Sequence, residues 1–392
     1  MIAWLPPVEA SWRDVLAAAL GRAITPSALA TMVAKQSQAY LGEPVVLSPD
    51  DSRAARTLFW FPRDLPKPAR AIAELHRAGA LPARPTTVLD LGAGMGATSV
   101  GALRTLAALA APPAQSWTAV DRDPTSLALL RRVAEGARRA GLLPAETPPP
   151  VTSVVDLAAP NWSRELGTHD LVLAGLTAVE FTRSLGGEAA RGEAVATFAR
   201  EALRCVAEDG ALVLLEPASR TESRALHHAR ARLLADGVGV FAPCLHAGDC
   251  PMLRNDRDWC HEDLSDVSLP PWLVDVARGA GLRWEGPTWS YLVLRHDRRT
   301  LRDALPAGGV ARMVSRPLVT KGKTEAQWCG APGNGRVLEL DRAVKGRPGP
   351  HLRDLPRGEL VTFDEAAGAG AEERAMRLEP SAWRAEWPTF RG

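Results

Sequence analysis

Only two of the 392 residues are tyrosine, five are lysine and five are cysteine. Five cysteines in a chain this long are too few for a disulfide scaffold. No apolar run reaches the roughly 18 residues a membrane-spanning helix needs, so no membrane partner is expected. The opening Met-Ile-Ala-Trp-Leu-Pro-Pro has no basic region ahead of an apolar one, and the first basic residue is Arg13. Neither a secretory signal nor an Arg-rich transit peptide is therefore expected, and the protein is expected in the cytoplasm. Wholesale disorder is excluded by 46% apolar and 23% charged residues. The length predicts two or three domains.

Because lysine is scarce, arginine is the default cation. The net charge of +2 hides an uneven distribution. Residues 295–357 hold 14 Lys or Arg against 6 Asp or Glu, a surplus of +8, which leaves −6 for the rest. A basic segment on a slightly acidic body points to a polyanion such as RNA, or simply to a solvated, Arg-rich surface.

Residues 1–80 read as helical, with Trp12–Ala23, Pro26–Tyr40 behind an N-cap at Thr25, and Ala69–Ala78. From Thr87 strands alternate with helices: strands at 87–91, 117–121, 151–155, 170–174 and 211–216, helices at 97–110, 124–140, 193–207 and 222–235. That alternation predicts a parallel sheet covered on both faces. After a helix at 270–280, strands at 282–285 and 290–295 are expected as an antiparallel hairpin closing the sheet edge. Residues 297–358 read as a small basic β unit, with short strands at 311–318, 324–328 and 336–342. Residues 359–392 read as a mixed tail with a low-complexity linker at 366–371.

The sharpest local motif is Val88-Leu89-Asp90-Leu91-Gly92-Ala93-Gly94-Met95-Gly96. A strand ending in an acid and turning through three glycines lets backbone approach a ligand, and the next helix points free N–H groups into the same space. S-adenosylmethionine fits: its amino-acid end can meet Asp90 and the donors of Gly92, Ala93, Gly94 and Gly96. Asp121 ends the second strand, where it can accept from ribose hydroxyls, and Asp156 follows the third, where it can face adenine. Gly92, Gly94 and Ala97 also satisfy Gly-x-Gly-x-x-Ala, a dinucleotide fingerprint. Asp90 near a pyrophosphate and the terminal hairpin count against that alternative. No catalytic residue is identifiable. Glu180, after the fourth strand, reads as a general base or a helix-terminal acid.

Cys244, Cys250 and Cys260 fall within 17 residues, in a Pro- and Gly-rich stretch that also carries His246 and His261. Cys329 follows in the basic segment, and Cys205 reads as buried and inert. Four thiolates suit zinc or an iron–sulfur cluster. Without Cys-x-x-Cys knuckles, iron–sulfur is favoured, with zinc as the alternative. Pro243-Cys244 also fits a nucleophile of pyrimidine C5 methylation, but stands a whole helix beyond the fifth strand.

Together these motifs resemble the methyltransferase-like family associated with the mitochondrial small ribosomal subunit and its bacterial relatives. The resemblance rests on Leu89–Gly96, Leu214-Leu215-Glu216-Pro217, Ala242-Pro243-Cys244 with His246, Cys250-Pro251, Asp258-Trp259-Cys260-His261, Ser290–Leu294 and Cys329. It implies a Rossmann-like class I methyltransferase sheet over 81–296, with a cysteine-rich loop at 241–265. It also implies S-adenosylmethionine binding and a 4Fe–4S cluster on Cys244, Cys250, Cys260 and Cys329. The implied partner is small-subunit rRNA or a pre-small-subunit particle, met by a monomer that either methylates rRNA or assists assembly without turnover. A cluster would hold the β unit against the sheet, leaving Arg312, Arg316, Lys321 and Lys323 to face RNA.

Overall fold

The computed structural model describes residues 5–265, 267–331, 333–346, 351–363, 376–377 and 383–384. Five helices open the chain: α1 (Trp12–Leu20), α2 (Pro26–Tyr40), α3 (Pro49–Ala55), α4 (Phe61–Asp64) and α5 (Ala69–Arg77). A π-turn, Arg56–Trp60, joins α3 to α4. Side-chain caps fix two starts: Thr25 Oγ1 accepts from the N–H of Ala28 at 3.3 Å and Ser48 Oγ from that of Asp51 at 3.1 Å. Proline at the first position of α2 and α3 removes an N–H that would have had no partner.

The main sheet comprises β1 (Thr86–Leu91), β2 (Ala114–Asp121), β3 (Val151–Val154), β4 (His169–Gly175), β5 (Val206–Pro217), β6 (Gly239–Ala242), a two-residue β7 (Glu262–Asp263) and β8 (Thr288–Arg295). Their order is 3-2-1-4-5-8-6, with β7 paired to the start of β8. The first five strands are parallel, and β8 runs antiparallel between β5 and β6. This is the Rossmann-like order of class I methyltransferase sheets, as expected. Six helices complete the unit: α6 (Ala97–Ala108), α7 (Pro124–Arg139), α8 (Ala178–Thr182), α9 (Glu188–Leu203), α10 (Arg220–Ala235) and α11 (Pro271–Gly279).

Alternate strand residues serve opposite faces. Val88, Leu171, Val213 and Val293 pack with Trp12, Phe59 and Phe61 of the N-terminal helices. Leu89, Val172, Leu212 and Leu292 pack with Val195, Phe198 and Leu226 of α9 and α10. On the first face the N-terminal helices thus pack together with α6, α7 and α11.

The expected closing hairpin is corrected. Residues 282–285 form no strand; Trp284 is exposed beneath the guanidinium of Arg278, 5.0 Å from the ring centroid. The partner of β8 on its outer side is β6, whose Val240-Phe241-Ala242 is too short a run to stand out from the loop that follows. β5 begins at Val206, inside the stretch expected as helix.

A second sheet holds β9 (Gly309–Met313), β10 (Leu318–Thr320), β11 (Lys323–Gly330), β12 (Gly333–Leu340), β13 (Leu360–Phe363) and two two-residue strands at 376–377 and 383–384. β13 pairs with β9, so this sheet extends past the expected boundary at residue 358. Its core is Met313, Trp328, Val337, Leu352 and Val361. Most of the tail expected over 359–392, including the linker at 366–371, lies outside the described residues.

Arg312 does not face outward, as expected for RNA contact; it is buried between the two sheets. Its Nη1 meets Glu74 Oε1 of α5 at 2.7 Å and the carbonyl of Gly358 at 2.8 Å, and its Nε meets the carbonyl of Pro243 at 2.9 Å. Tyr291 Oη donates to the other Glu74 oxygen at 2.9 Å. Alongside, Arg70 Nε stands 3.0 Å from Glu262 Oε2, close enough for an ion pair though not aligned as a hydrogen bond. Arg70 Nη1 donates to Gly358 O at 3.1 Å. Gly358, at φ +88°, leaves no room for a Cβ, which would strike Glu262 and Arg70. Arg316 forks onto Asp263 with two 2.8 Å bonds. Both arginines answer buried carboxylates, an arrangement that no local sequence pattern announces.

Removing one member of a buried pair strands the other charge. Arg312→Met is therefore expected to cost about 3–5 kcal/mol in urea denaturation, and adding Glu74→Leu to recover part of it. A double variant less stable than the single would show that shape, not charge, dominates there.

Candidate cofactor cleft and cysteine centre

The strand order reverses between β1 and β4, so a crevice opens at their C-terminal ends. The turn after β1 sits there. Gly92, Gly94 and Gly96 have φ of +67°, +53° and +88°, conformations that disfavour any Cβ. A Cβ on Gly92 would lie 2.6 Å from Thr177 Cγ2. The turn is braced by Ala93 N–H to the carbonyl of Val120 at 2.9 Å and Gly94 N–H to Asp121 Oδ2 at 2.8 Å. Asp121 also accepts from the N–H of Asp123 at 2.9 Å. It lies at the end of β2 where a ribose acceptor was expected, with each oxygen already bonded once to backbone.

Asp90 lies beneath the turn, 1% exposed, and Oδ2 accepts from Ser99 N–H in the first turn of α6 at 3.2 Å. Among the described residues Oδ1 accepts no hydrogen bond, and burial pushes the carboxyl up to about 7. Asp156 is exposed after β3 and closes a local turn onto Ala158 N–H at 3.0 Å. The structure thus brings Asp90, Gly92, Ala93, Gly94, Gly96 and Asp121 to one place and puts Asp156 at the rim.

Sequence reasoning missed Arg56. The π-turn carries it over the glycine turn, with Nη2 3.5 Å from where a Cβ on Gly94 would stand. Among the described residues Arg56 makes no ion pair and no side-chain hydrogen bond. Its neighbour Thr57 donates to Met95 Sδ at 2.9 Å, fixing the roof to the turn. The readable signal was Ser48-Pro49-Asp50-Asp51, a helix-start pattern that announces a helix just ahead of Arg56 but not where it packs.

Past β4, Leu176 has φ +60°, and strain of this kind gathers at functional loops. Thr177 Oγ1 donates to the carbonyl of Leu91 at 2.9 Å. Glu216, at the end of β5, accepts from Ala178 and Val179 N–H at 3.0 and 3.1 Å, and burial pushes it up to about 8. Glu180 is exposed and stands 3.4 Å from Arg122. Glu180 thus behaves as a surface ion-pair member in the first turn of α8.

The cysteine loop hangs on α10. Arg224 Nη1 donates to the carbonyls of Met252, Asn255 and Asp258 at 2.8, 2.9 and 2.9 Å. His227 Nε2 accepts from Cys260 N–H at 3.0 Å, and Arg230 donates to the carbonyls of Gly248 and His246. Spaced three residues apart, the three share one buried helix face. Cys329 arrives from β11, with Sγ 3.5 Å from His246 Nε2. All four thiols are free and lie close enough to repel one another as thiolates. Burial pushes Cys250 up to about 12 and Cys260 to about 11; Cys329 is raised by burial and then by the other three. Arg230 opposes the rise at Cys250 and Cys329, as Arg357 and Arg312 do at Cys260. Among the described residues no three His, Cys, Asp or Glu side chains are drawn together tightly enough to hold a metal ion. Cys205 is buried and apart, as expected.

The fold and this turn define a methyltransferase-type α/β sheet. Residues 170–349 match the family model described as "Mitochondrial small ribosomal subunit Rsm22", a span from β4 to beyond β12 that includes all four cysteines. No curated protein matches. Solved structures similar to the chain include the ribosomal protein L11 methylase of Lactobacillus delbrueckii subsp. bulgaricus, 18% identical, covering 46% of this chain and 72% of that one with a TM-score of 0.29. Another is an O-methyltransferase family protein of Burkholderia thailandensis, 17% identical, covering 68% and 63% with a TM-score of 0.32. Among the described residues no helix is long and apolar enough to cross a membrane.

Two outcomes follow. Gly92→Ala must displace Thr177 and is expected to abolish S-adenosylmethionine binding by calorimetry while leaving the far-ultraviolet circular dichroism unchanged. Asp90 keeps its proton up to about pH 7 when folded but releases it near pH 4 when unfolded, so its site loses stability as pH rises between them. Asp90→Asn is expected to flatten that fall, by at most about 4 kcal/mol, in denaturation series across this window.

Proposed function

We propose that the chain is an S-adenosylmethionine-binding, methyltransferase-type protein of the small ribosomal subunit, acting as a monomer on its rRNA. The observation that carries the reading is the Gly92–Gly96 turn at the switch point of a 3-2-1-4-5-8-6 sheet, roofed by Arg56. Gly94 leaves open the cradle a Cβ would fill, the backbone donors of the turn suit the amino-acid end of the cofactor, and Arg56 suits its carboxylate. Asp121 would take the ribose with its remaining lone pairs, Asp156 would stand by the adenine, and Asp90 would hold the turn from below. When bound, the cofactor supplies an electrophilic methyl group. The ribosomal assignment rests on the family match over residues 170–349.

The second part of the reading is a 4Fe–4S cluster on Cys244, Cys250, Cys260 and Cys329. Four soft thiolate donors, with three arginines that favour their ionised form, fit such a group. A zinc ion bonded at about 2.3 Å would need sulfurs roughly 3.8 Å apart, and among the described residues no three ligands are so gathered. A cubane spreads its four thiolates over four separate irons and takes a wider set.

One observation favours assembly without turnover. Around the loop after β4, Thr177 and Glu216 are bonded within the fold and Glu180 meets Arg122, so among the described residues none of these three stands free as a base.

Two measurements test the proposal. Anaerobic purification is expected to give a coloured protein with roughly four irons per chain, and Cys329→Ser is expected to lose the iron. One zinc and no colour would replace the cluster by a structural staple. Mapping rRNA modifications with and without the gene is expected to show one missing methyl mark; an unchanged map with defective small subunits would establish the assembly role instead.

A further inference from the structure

Resting on the rRNA reading above, we propose that the indole of Trp259 is a stacking platform for a base of single-stranded RNA. It stands at the rim of the cofactor cleft, flanked by arginines that meet the phosphates. Large aromatic side chains are mostly covered in folded proteins, yet Trp259 is 36% exposed. Its exposure is not looseness. The ring N–H donates to the carbonyl of Ala218 at 3.0 Å, and one face stacks on His261, with centroids 6.0 Å apart and planes 22° from parallel. Cys260 between them is pinned through its N–H to His227. The ring is therefore oriented before any ligand arrives, and little side-chain freedom remains to be lost on binding.

Its position is equally specific. Ala218 directly follows the end of β5, at the same sheet edge as the glycine turn, so a base on this ring would lie beside the cleft. Beneath the stack, Arg357 Nη1 lies 3.3 Å from His261 Nε2, and Arg283 and Arg316 stand close by. Of the nearby acids, Asp263 is matched by the latter two, while Asp256 and Asp258 on the loop are exposed. On the loop itself Arg254 and Arg257 are exposed and, among the described residues, form no ion pair. Arg220, the first residue of α10, donates to the carbonyl of Asp256 at 2.7 Å. A flat π-face with planar cations on both sides suits unpaired bases and their phosphates; a duplex hides its bases from such a face.

The test uses the full chain, purified anaerobically, with a fluorescein-labelled single-stranded RNA of about 12 nucleotides, within the span such sites cover, and the same sequence as a duplex. Leucine and phenylalanine both fill space at this position, but only phenylalanine stacks. Trp259→Leu is expected to weaken single-strand binding about tenfold or more, Trp259→Phe by less than about threefold. Iron content, S-adenosylmethionine affinity and duplex binding should not change. Equal affinities for the Leu and Phe variants, or loss of iron together with RNA in the Leu variant, would overturn the platform. Should Trp259→Leu fail to fold, R254E/R257E is expected to lower the salt slope of binding by about two; an unchanged slope would count against the site. A wild-type protein that binds S-adenosylmethionine but not the single strand would overturn the rRNA reading itself, whereas wild-type binding indifferent to Trp259 would overturn only the platform.

Discussion

Glu74 carries a carboxylate with no solvent contact, and the placement of the second sheet depends on how that charge is answered. A buried ion loses several kcal/mol of hydration, which only close, multiple partners can offset. Here Arg312 supplies one bond from β9 and Tyr291 another from β8, while Arg312 also reaches backbone in the cysteine loop and in the turn at Gly358. Five chain segments are thereby held in one geometry. Apolar contact alone would let the sheets slide; directional bonds to a buried charge do not.

The same logic organises the cysteine loop. A Pro- and Gly-rich segment has little internal structure to hold its backbone, so α10 supplies the donors. Arg224 and Arg230 donate to five carbonyls of the loop, and His227 accepts a sixth backbone bond. The thiols are therefore positioned by protein bonds made without any metal. Docking of the second sheet likewise has its own ionic anchor, so it does not hang on a cluster alone.

Cofactor cleft and cysteine centre share a border. β5 ends at Pro217, and the next residue holds Trp259 of the cysteine loop. Glu216, two residues before that contact, ties β5 to the loop after β4. A shift in the cysteine loop would thus be felt one residue away from the strand that shapes the cleft.

Much of this was legible in the residues. Glycines at 92, 94 and 96 dictated a left-handed turn, because backbone sterics act locally and need no tertiary context. Strand and helix periods announced the parallel sheet for the same reason, and the cysteines announced themselves by chemistry. Tertiary structure alone decided the rest. It buried Arg312 against Glu74 and paired the still exposed Arg316 with Asp263, since a charge run does not say which acids from distant segments will meet it. It made β6 the outer neighbour of β8, because three apolar residues cannot signal a strand until a partner edge exists. And it carried Arg56 over the glycine turn, a meeting of two segments that only the packing of the N-terminal helices on the sheet brings about.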